Sequence, residues 1–404
     1  MSAGFNIDIV SGLSTIDAAQ WDACAQAHNT SADAPTDITA ETHNPFVSHA
    51  FLTSLEDSGS ATAKTGWAGA HIIVRDENNI IRAACPTYLK AHSMGEYVFD
   101  HTWADAWERA GGRYYPKVQV CVPFTPVTGP RLLIHPECAR AEGEALLAKG
   151  LLTLSDRCEA SSVHMTFAHQ RECEALAPYN FVTRLNKQFH FINHGYADFD
   201  AFLAALASRK RKMIKRERKE AVQEGIEIEH LTGTDITETH WDAFYEFYMD
   251  TGSRKWGQPY LTRQFFSLIG ERMSSRILLI MAKRAGRYIA GAINFIGNRH
   301  LYGRNWGCIE HHPFLHFEVC YYQAIEYALK HGFARVEAGA QGEHKLMRGY
   351  EPVETYSAHF IAHEGFARAV KAAIEQERAH MEVDLDFYAQ HLPFKKTEGQ
   401  SHDL

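Results

Sequence analysis

The stretch RILLIMAKRAGRYIAGAINFIGNRHLYGRNWGC, Arg276–Cys308, reads as three strands in succession. Its three runs are rich in Ile, Leu, Phe and Tyr, and are parted by Ala285-Gly286 and by Gly297-Asn298-Arg299. β-Rich runs between Gly- and Asn-containing turns predict an antiparallel meander. Upstream, IEIEHL (Ile226–Leu231) predicts a strand and residues 237–250 and 262–273 predict two helices. Downstream, FEVCYYQAIEYALKHG (Phe317–Gly332) has the apolar spacing of an amphipathic helix with Gly332 at its C-terminal stop. ARVEAGA (Ala334–Ala340) and YSAHFIA (Tyr356–Ala362) then read as strands, and 364–391 as one long helix or two.

The same order is legible earlier in the chain. NIDIV (Asn6–Val10) is a strand, and Asp17–Ala27 and FVSHAFLTSLEDSG (Phe46–Gly59) are helices. GAHIIVRDENNIIRAACPTYLK (Gly69–Lys90) is a hairpin about a polar DENN turn. A helix at 139–158 and strands at Ser162–Ala168 and Gln188–Asn193 complete the half, and Phe202–Gly225 reads as one helix opening the next. Two α/β (α+β) units with mixed sheets flanked by helices follow: residues 1–190, residues 191–393 beginning with a basic helix, and a disordered tail at 394–404. A duplication of this size is expected to leave a cleft between two cores.

Composition narrows the function. A length of 404 residues, 45% hydrophobic and 22% charged, fits a globular protein of two domains. The formal charge of −8 argues against bulk nucleic-acid binding, and DNA is not an expected partner. The eight cysteines form no CxxC pair, which suits buried thiols in the cytoplasm. No secretory signal or membrane span is expected, although peripheral membrane contact stays open. His311, His312 and His316 lie close in sequence, but without an HExxH or Cys/His spacing no metal is expected. No GxGxxG or GxxxxGK[ST] motif supports a nucleotide cofactor. Nothing in the composition sets an oligomeric state.

Against this acidic background, SRKRKMIKRERKEAVQEGIEIEHL (Ser208–Leu231) stands out. Eight basic residues fall between Arg209 and Lys219, with Glu217 the single acid, so the remainder of the chain carries −15. Helical spacing puts Arg209, Lys212, Arg216 and Lys219 on one face and Arg211, Lys215 and Arg218 on the next. Leu203, Leu206, Met213 and Ala221 are left for packing. Crowded like charges repel unless an anion lies near, so Arg209, Arg211, Lys212, Lys215 and Arg216 are candidate anion contacts. A solvated face balanced by Glu217, Glu220 and Glu224 is the plainer alternative.

The order of strand, two helices, meander, helix and strand resembles the GNAT acyltransferase fold. Two such units joined by a basic helix resemble the FemAB family, whose members transfer amino acids from aminoacyl-tRNA to peptidoglycan precursors. The strings NPFVSHAFL, PTYLKAHSMGEYVFD, GRYYPKVQVCVPFTPVTGPRLL and VEAGAQGEHKLMRGY are similar to those of a bacterial subgroup labelled peptidoglycan biosynthesis/recognition. The resemblance implies a tandem GNAT fold. It also implies a basic helix beside the cleft and an acyl or aminoacyl donor, with tRNA as a possible partner and a small-molecule or peptide acceptor. It departs from acetyl-CoA-using GNAT enzymes at GCIEHHPFLHF (Gly307–Phe317), which lacks their glycine-rich pyrophosphate turn and loses an N–H donor at Pro313. VPFTPVTGPRLL, with Thr125, Thr128, Gly129 and Arg131, matches no better.

Three further segments carry candidate site residues. In EAGAQGEHKLMRGY, Glu337 ends a strand and Gly339 and Gly342 permit a tight turn. Gln341, Gly342, Glu343, Lys345 and Arg348 would bind substrate, and Glu337, Glu343 or His344 would take a proton. In GEYVFDHTWADAWERAGGRYYPK, Glu96, Tyr97, Trp103, Tyr114, Tyr115 and Lys117 would form a cleft wall, with Asp100 a possible base. Arg304, Asn305 and Trp306 end a strand where Glu318 and Tyr322 begin a helix, and Arg254 and Trp256 would join that rim. Ordinary packing, surface charge and helix-dipole compensation are the competing readings of all three.

The leading expectation is therefore an N-acyl- or aminoacyltransferase using aminoacyl-tRNA or acyl-CoA as donor, with no permanently bound cofactor. Glu318, Glu337, Asp100 and His344 are its candidate catalytic residues. The alternatives are a recognition protein without turnover and an acyl-CoA N-acetyltransferase with an unconventional CoA site.

Overall fold

A computed structural model describes residues 4–26, 41, 43–255, 259–339 and 342–395, without the side chains of Lys255 and Glu343. The chain forms two compact units. One comprises Met1–Asn186, Tyr260–Ser274 and Glu354–Glu382; the other comprises Lys187–Pro259, Ser275–Val353 and Val383–Leu404. They are not consecutive stretches, unlike the simple join expected near residue 190. The helix Arg263–Met273 follows the second unit's Glu238–Lys255 helix in sequence, yet it belongs to the first unit. Phe265 meets Phe51 edge to face at 5.7 Å, and the Thr262 hydroxyl donates to the Ser58 carbonyl at 3.1 Å. Apolar periodicity makes this segment a helix, but it does not choose which core covers it.

In the second unit the meander forms as expected, with strands Ile277–Arg284, Arg287–Ile296 and His300–Cys308. The first turn is tight because both Ala285 and Gly286 adopt left-handed φ, 49° and 80°. Ile226–Thr232 adds antiparallel at one edge. Arg335–Glu337 adds parallel at the other, and antiparallel to the chain at His190–Ile192. Leu278, Ile280 and Ala282 alternate onto a core with Phe191, Phe202, Tyr322, Ile325 and Tyr350. The expected helix Phe202–Gly225 is two helices, Phe199–Ala205 and Ser208–Ala221, because Leu206 turns to extended backbone, is buried and bridges to Phe394.

The first unit holds two sheets. Asn6–Val10, His71–Arg75, Ile81–Cys85 and Leu133–Ile134 make one, all antiparallel. Trp67–Gly69, Thr87–Lys90, Lys117–Val120, Ser162–Ala168 and the Tyr356–Ile361 stretch make the other. The Gly69–Lys90 hairpin is thus cut at Pro86, which has no N–H for a ladder, and Thr87–Lys90 passes to the second sheet. Within the segment expected as a cleft wall, residues 101–109 are a helix, His101–Arg109. Glu364–Gln390 is one continuous helix. Among the described residues no helix is long and apolar enough to cross a membrane.

Candidate functional site

The second unit's meander opens where its last strand outruns its neighbour. His300–Tyr302 pair with Arg335–Glu337, but the strand continues to Cys308 while the neighbour stops. On the other side, Ile293 faces Asn305 and Asn294 faces Gly303, so Arg304 is the extra residue of a β-bulge. Bulge and splay together frame a cavity of about 80 Å³, whose lining includes Asn294, Gly303, Arg304, Asn305, Trp306 and Tyr321. Asn294 is buried, and its Oδ1 accepts no hydrogen bond among the described residues. Gly303 is required there: a Cβ would lie 3.2 Å from Asn294 Oδ1 and 3.3 Å from the Glu337 carbonyl oxygen.

Trp306 and His316 also line a second cavity of about 250 Å³, with Arg254, His311 and His312 at its rim. Arg254 is bound to Asp250, to His311 at 2.6 Å and to the Cys308 carbonyl at 3.1 Å. Between Cys308 and the helix at Leu315, Phe314 is left-handed, with φ 61°. With Pro313 this leaves a poor cradle for a diphosphate. Among the described residues no cluster of three or more His, Cys, Asp or Glu could hold a metal.

Gly342 precedes the short helix Glu343–Arg348, which meets the first cavity's wall through His344. Tyr321 OH and His344 Nε2 lie 2.9 Å apart, so a cavity-lining hydroxyl connects to the imidazole. Burial, helped by Arg348 and Lys345, holds His344 below the ordinary histidine value. Lys345 is buried and donates to the Gly339 carbonyl at 2.9 Å. Burial, with the charge of Arg304, pushes its amine down to about 7. Glu337 is buried with its carboxylate 3.8 Å from His190 and 3.9 Å from His300.

The basic helix docks through residues that its charge pattern hides. Glu217 is buried, takes Arg348 Nη2 on both oxygens at 3.0 Å, and accepts the Tyr322 hydroxyl. Arg348 also lies over the Phe317 ring at 3.4 Å. Arg218 grips both oxygens of Glu318 at 2.9–3.1 Å and also pairs with Glu326. Glu318, Tyr322 and Arg348 therefore anchor the helix, and none of them lines the cavity that Tyr321 lines. Arg209, Lys212, Lys215, Arg216 and Lys219 stay exposed, with Arg211 half-buried. Lys215 pairs at a distance with Asp200, 3.9 Å, and Arg216 with Glu220, 3.6 Å, with Arg216 also 6.0 Å from the Phe314 ring.

The first unit gathers the other predicted segment into a buried network. Lys117 Nζ donates to Glu96 and Ser93, each at 2.7 Å, and to Asp100. Tyr114 OH donates to Asp100 at 2.8 Å, and Tyr115 OH lies 2.9 Å from Ser93 Oγ. Burial would raise Asp100, but Lys117 and His164 outweigh it and hold the carboxyl well below its usual range. Burial raises Glu96 to about 7. Trp103 packs on His359 at 5.0 Å and lies under Arg184. Tyr97 adopts a left-handed φ of 61°.

The FemAB-like family, described as peptidoglycan biosynthesis/recognition, matches residues 12–396. The chain belongs to this family. No curated protein matches it. Among solved structures, this FemAB-like protein resembles FemX at 11% identity, covering 87% of this chain and 98% of that one, with a TM-score of 0.53. It also aligns with a tandem GNAT protein from the clavulanic acid biosynthesis pathway, at 14% identity over 89% and 99% of the two chains, TM-score 0.46. L-PGS from Bacillus licheniformis aligns at 8% over 89% and 100%, TM-score 0.49. The FemX likeness covers both chains almost end to end and shows the tandem GNAT fold expected from the sequence.

Of the residues expected from the sequence in separate segments, Arg304, Asn305, Trp306, Lys345 and His344 come together in the FemAB-like protein, and Glu96, Asp100, Tyr114, Tyr115 and Lys117 form a second group. Trp256 and Gln341 lie outside the described residues, and so does the Glu343 side chain. Asn294 and Lys90 were missed. Asn294 sits inside an apolar strand and Lys90 ends the short strand Thr87–Lys90, and in each a single polar residue carries no periodic signal.

Proposed function

We propose that the protein transfers an acyl or aminoacyl group to an amine of a peptide or peptidoglycan-precursor-like acceptor. The cavity at the splayed strands, lined by a hydroxyl that reaches an uncharged histidine, carries this reading. The acceptor amine would give an N–H to Asn294 Oδ1 and pass its proton through Tyr321 to His344 as nitrogen attacks the carbonyl carbon. Backbone N–H groups of the bulged strand edge at Asn305 and Trp306 would face the oxygen that gains charge. The carbonyl–donor bond then breaks, and the leaving oxygen or sulfur takes a proton. Membership of the FemAB-like family supports the same reaction.

Aminoacyl-tRNA is the donor we favour. Pro313 and the left-handed Phe314 disfavour a CoA diphosphate cradle, while the outer face of the basic helix suits a phosphate backbone. The free thiols of all eight cysteines support a cytoplasmic setting. The test is label transfer to a muramyl-peptide precursor from aminoacyl-tRNA and from acetyl-CoA, side by side. Transfer from acetyl-CoA alone would overturn the donor. A recognition protein is the second reading, favoured by the commitment of Glu318 and Asp100 to ion pairs. Precursor binding with no turnover by either donor would establish it.

A further inference from the structure

Lys90 and Lys117 are direct partners across adjacent strands of the first unit, and both side chains are fully buried. Like charges placed opposite on a ladder repel, and burial makes each depend on a counter-ion. One irregular segment, residues 91–100, supplies the counter-ions. Glu96 Oε2 accepts from Lys117 at 2.7 Å, and Glu96 Oε1 stands 3.8 Å from Lys90. Asp100 accepts from Lys117, and the Met94 carbonyl accepts from Lys90 at 3.2 Å. The Trp67 ring lies 3.3 Å from Lys90 Nζ.

The segment fits its lysines incompletely. Glu96 Oε1 and Asp100 Oδ1 are buried without a hydrogen-bond partner among the described residues. Glu96 is raised and Lys90 is lowered by burial, so their mutual neutralisation is partial. Gly95 and Tyr97 hold left-handed φ, and Met94 and Phe99 are 52% and 57% exposed. Outside the network, the segment's bonds among the described residues include Phe124 N to the Gly95 carbonyl, Arg184 to the Phe99 carbonyl, His92 to the Thr65 carbonyl, and Trp103 N and Ala104 N to the Asp100 carbonyl at its end. Two carboxylates on one short piece of peptide thus sit on two buried ammonium groups.

We propose that Lys90 and Lys117 form a binding site for a peptide carrying two carboxylates, and that segment 91–100 closes it by placing Glu96 and Asp100 where the ligand's acids would lie. Ligand binding exchanges one pair of carboxylates for another, so the lysines keep counter-ions throughout. The inference rests on the peptide acceptor proposed above, but its test needs no acyl donor and so can fail separately.

The probe is a synthetic tetrapeptide with two glutamates, compared with its diglutamine analogue and with inorganic pyrophosphate. Calorimetry on Glu96→Gln/Asp100→Asn should show the diglutamate peptide binding at least about tenfold tighter than to the parent protein, with loss on adding Lys90→Met. The diglutamine analogue should not bind. Equal affinity for the parent and the double variant overturns the closure, and binding of pyrophosphate alone overturns the peptide. If the double variant fails to fold, hydrogen exchange on the parent protein decides. Faster exchange at 91–100 with millimolar peptide supports the proposal, and unchanged exchange overturns it.

Discussion

Arg348 Nη2 donates to both carboxylate oxygens of Glu217, and Glu217 is the single acid within the run Arg209–Lys219. The pair is nearly fully buried, so neither charge has water to fall back on. Arg348→Met should cost about 3–5 kcal/mol of unfolding free energy in urea, because it strands a buried carboxylate. Arg348→Met/Glu217→Leu should recover most of that. A single-variant loss under about 1 kcal/mol would mean that the helix is anchored elsewhere.

The outer face of the same helix should behave differently. Lys212→Glu/Lys215→Glu/Arg216→Glu leaves the anchors Glu217 and Arg218 untouched, so stability should change little. Affinity for aminoacyl-tRNA should fall, and the slope of log affinity against log salt should flatten by roughly 0.7–0.9 for each lost phosphate contact. An unchanged slope across a salt series would remove tRNA from this face.

At the cavity, His344→Gln and Tyr321→Phe should each lower kcat by about 10²-fold or more, with little effect on KM, if they take the amine's proton. His344 is held below the ordinary histidine value of about 6.5, so the acid limb of the rate profile should fall below that pH. Asn294→Leu should raise KM for the acceptor. A His344→Gln variant with full kcat would return the proton to solvent.

Two buried histidines set an acid limit on stability. His164 and His359 have their Nδ1 atoms 2.7 Å apart, and burial holds His164 down to about 3 and His359 well below normal. As pH falls below about 6.5, the unfolded chain gains protons that the folded one refuses, which costs about 1.4 kcal/mol per pH unit for each histidine. Glu96 works the other way. Its folded value, raised to about 7, lies above the unfolded value of about 4.3, so it favours folding as pH drops through that window. Denaturation at pH 6 and pH 5 should therefore show a slope for His359→Asn that is shallower than the parent's by about 1.4 kcal/mol per pH unit.

Gly307 tests the backing of the splayed strand. A Cβ there would fall 2.2 Å from the Phe247 carbonyl oxygen on the helix Glu238–Lys255. Gly307→Ala must move helix or strand and should cost about 1–3 kcal/mol, measured by thermal unfolding.

The strands of the meander, the amphipathic helices and the repeat of their order were all legible along the chain, because each rests on local periodicity and turn chemistry. So was the density of positive charge between Arg209 and Lys219. Packing decided what that charge does. Of the expected inward residues, Leu203, Leu206 and Ala221 are buried and Met213 is only partly so, while Ile214 and Glu217 join them; Glu217 can do so because Arg348 and Tyr322, more than a hundred residues away, make a charged position satisfiable. The assignment of helix Arg263–Met273 to the first unit and the counter-ions of Lys90 and Lys117 were hidden for the same reason. Periodicity is a property of neighbours in sequence, whereas the partner that makes a buried charge affordable is fixed only when distant segments meet.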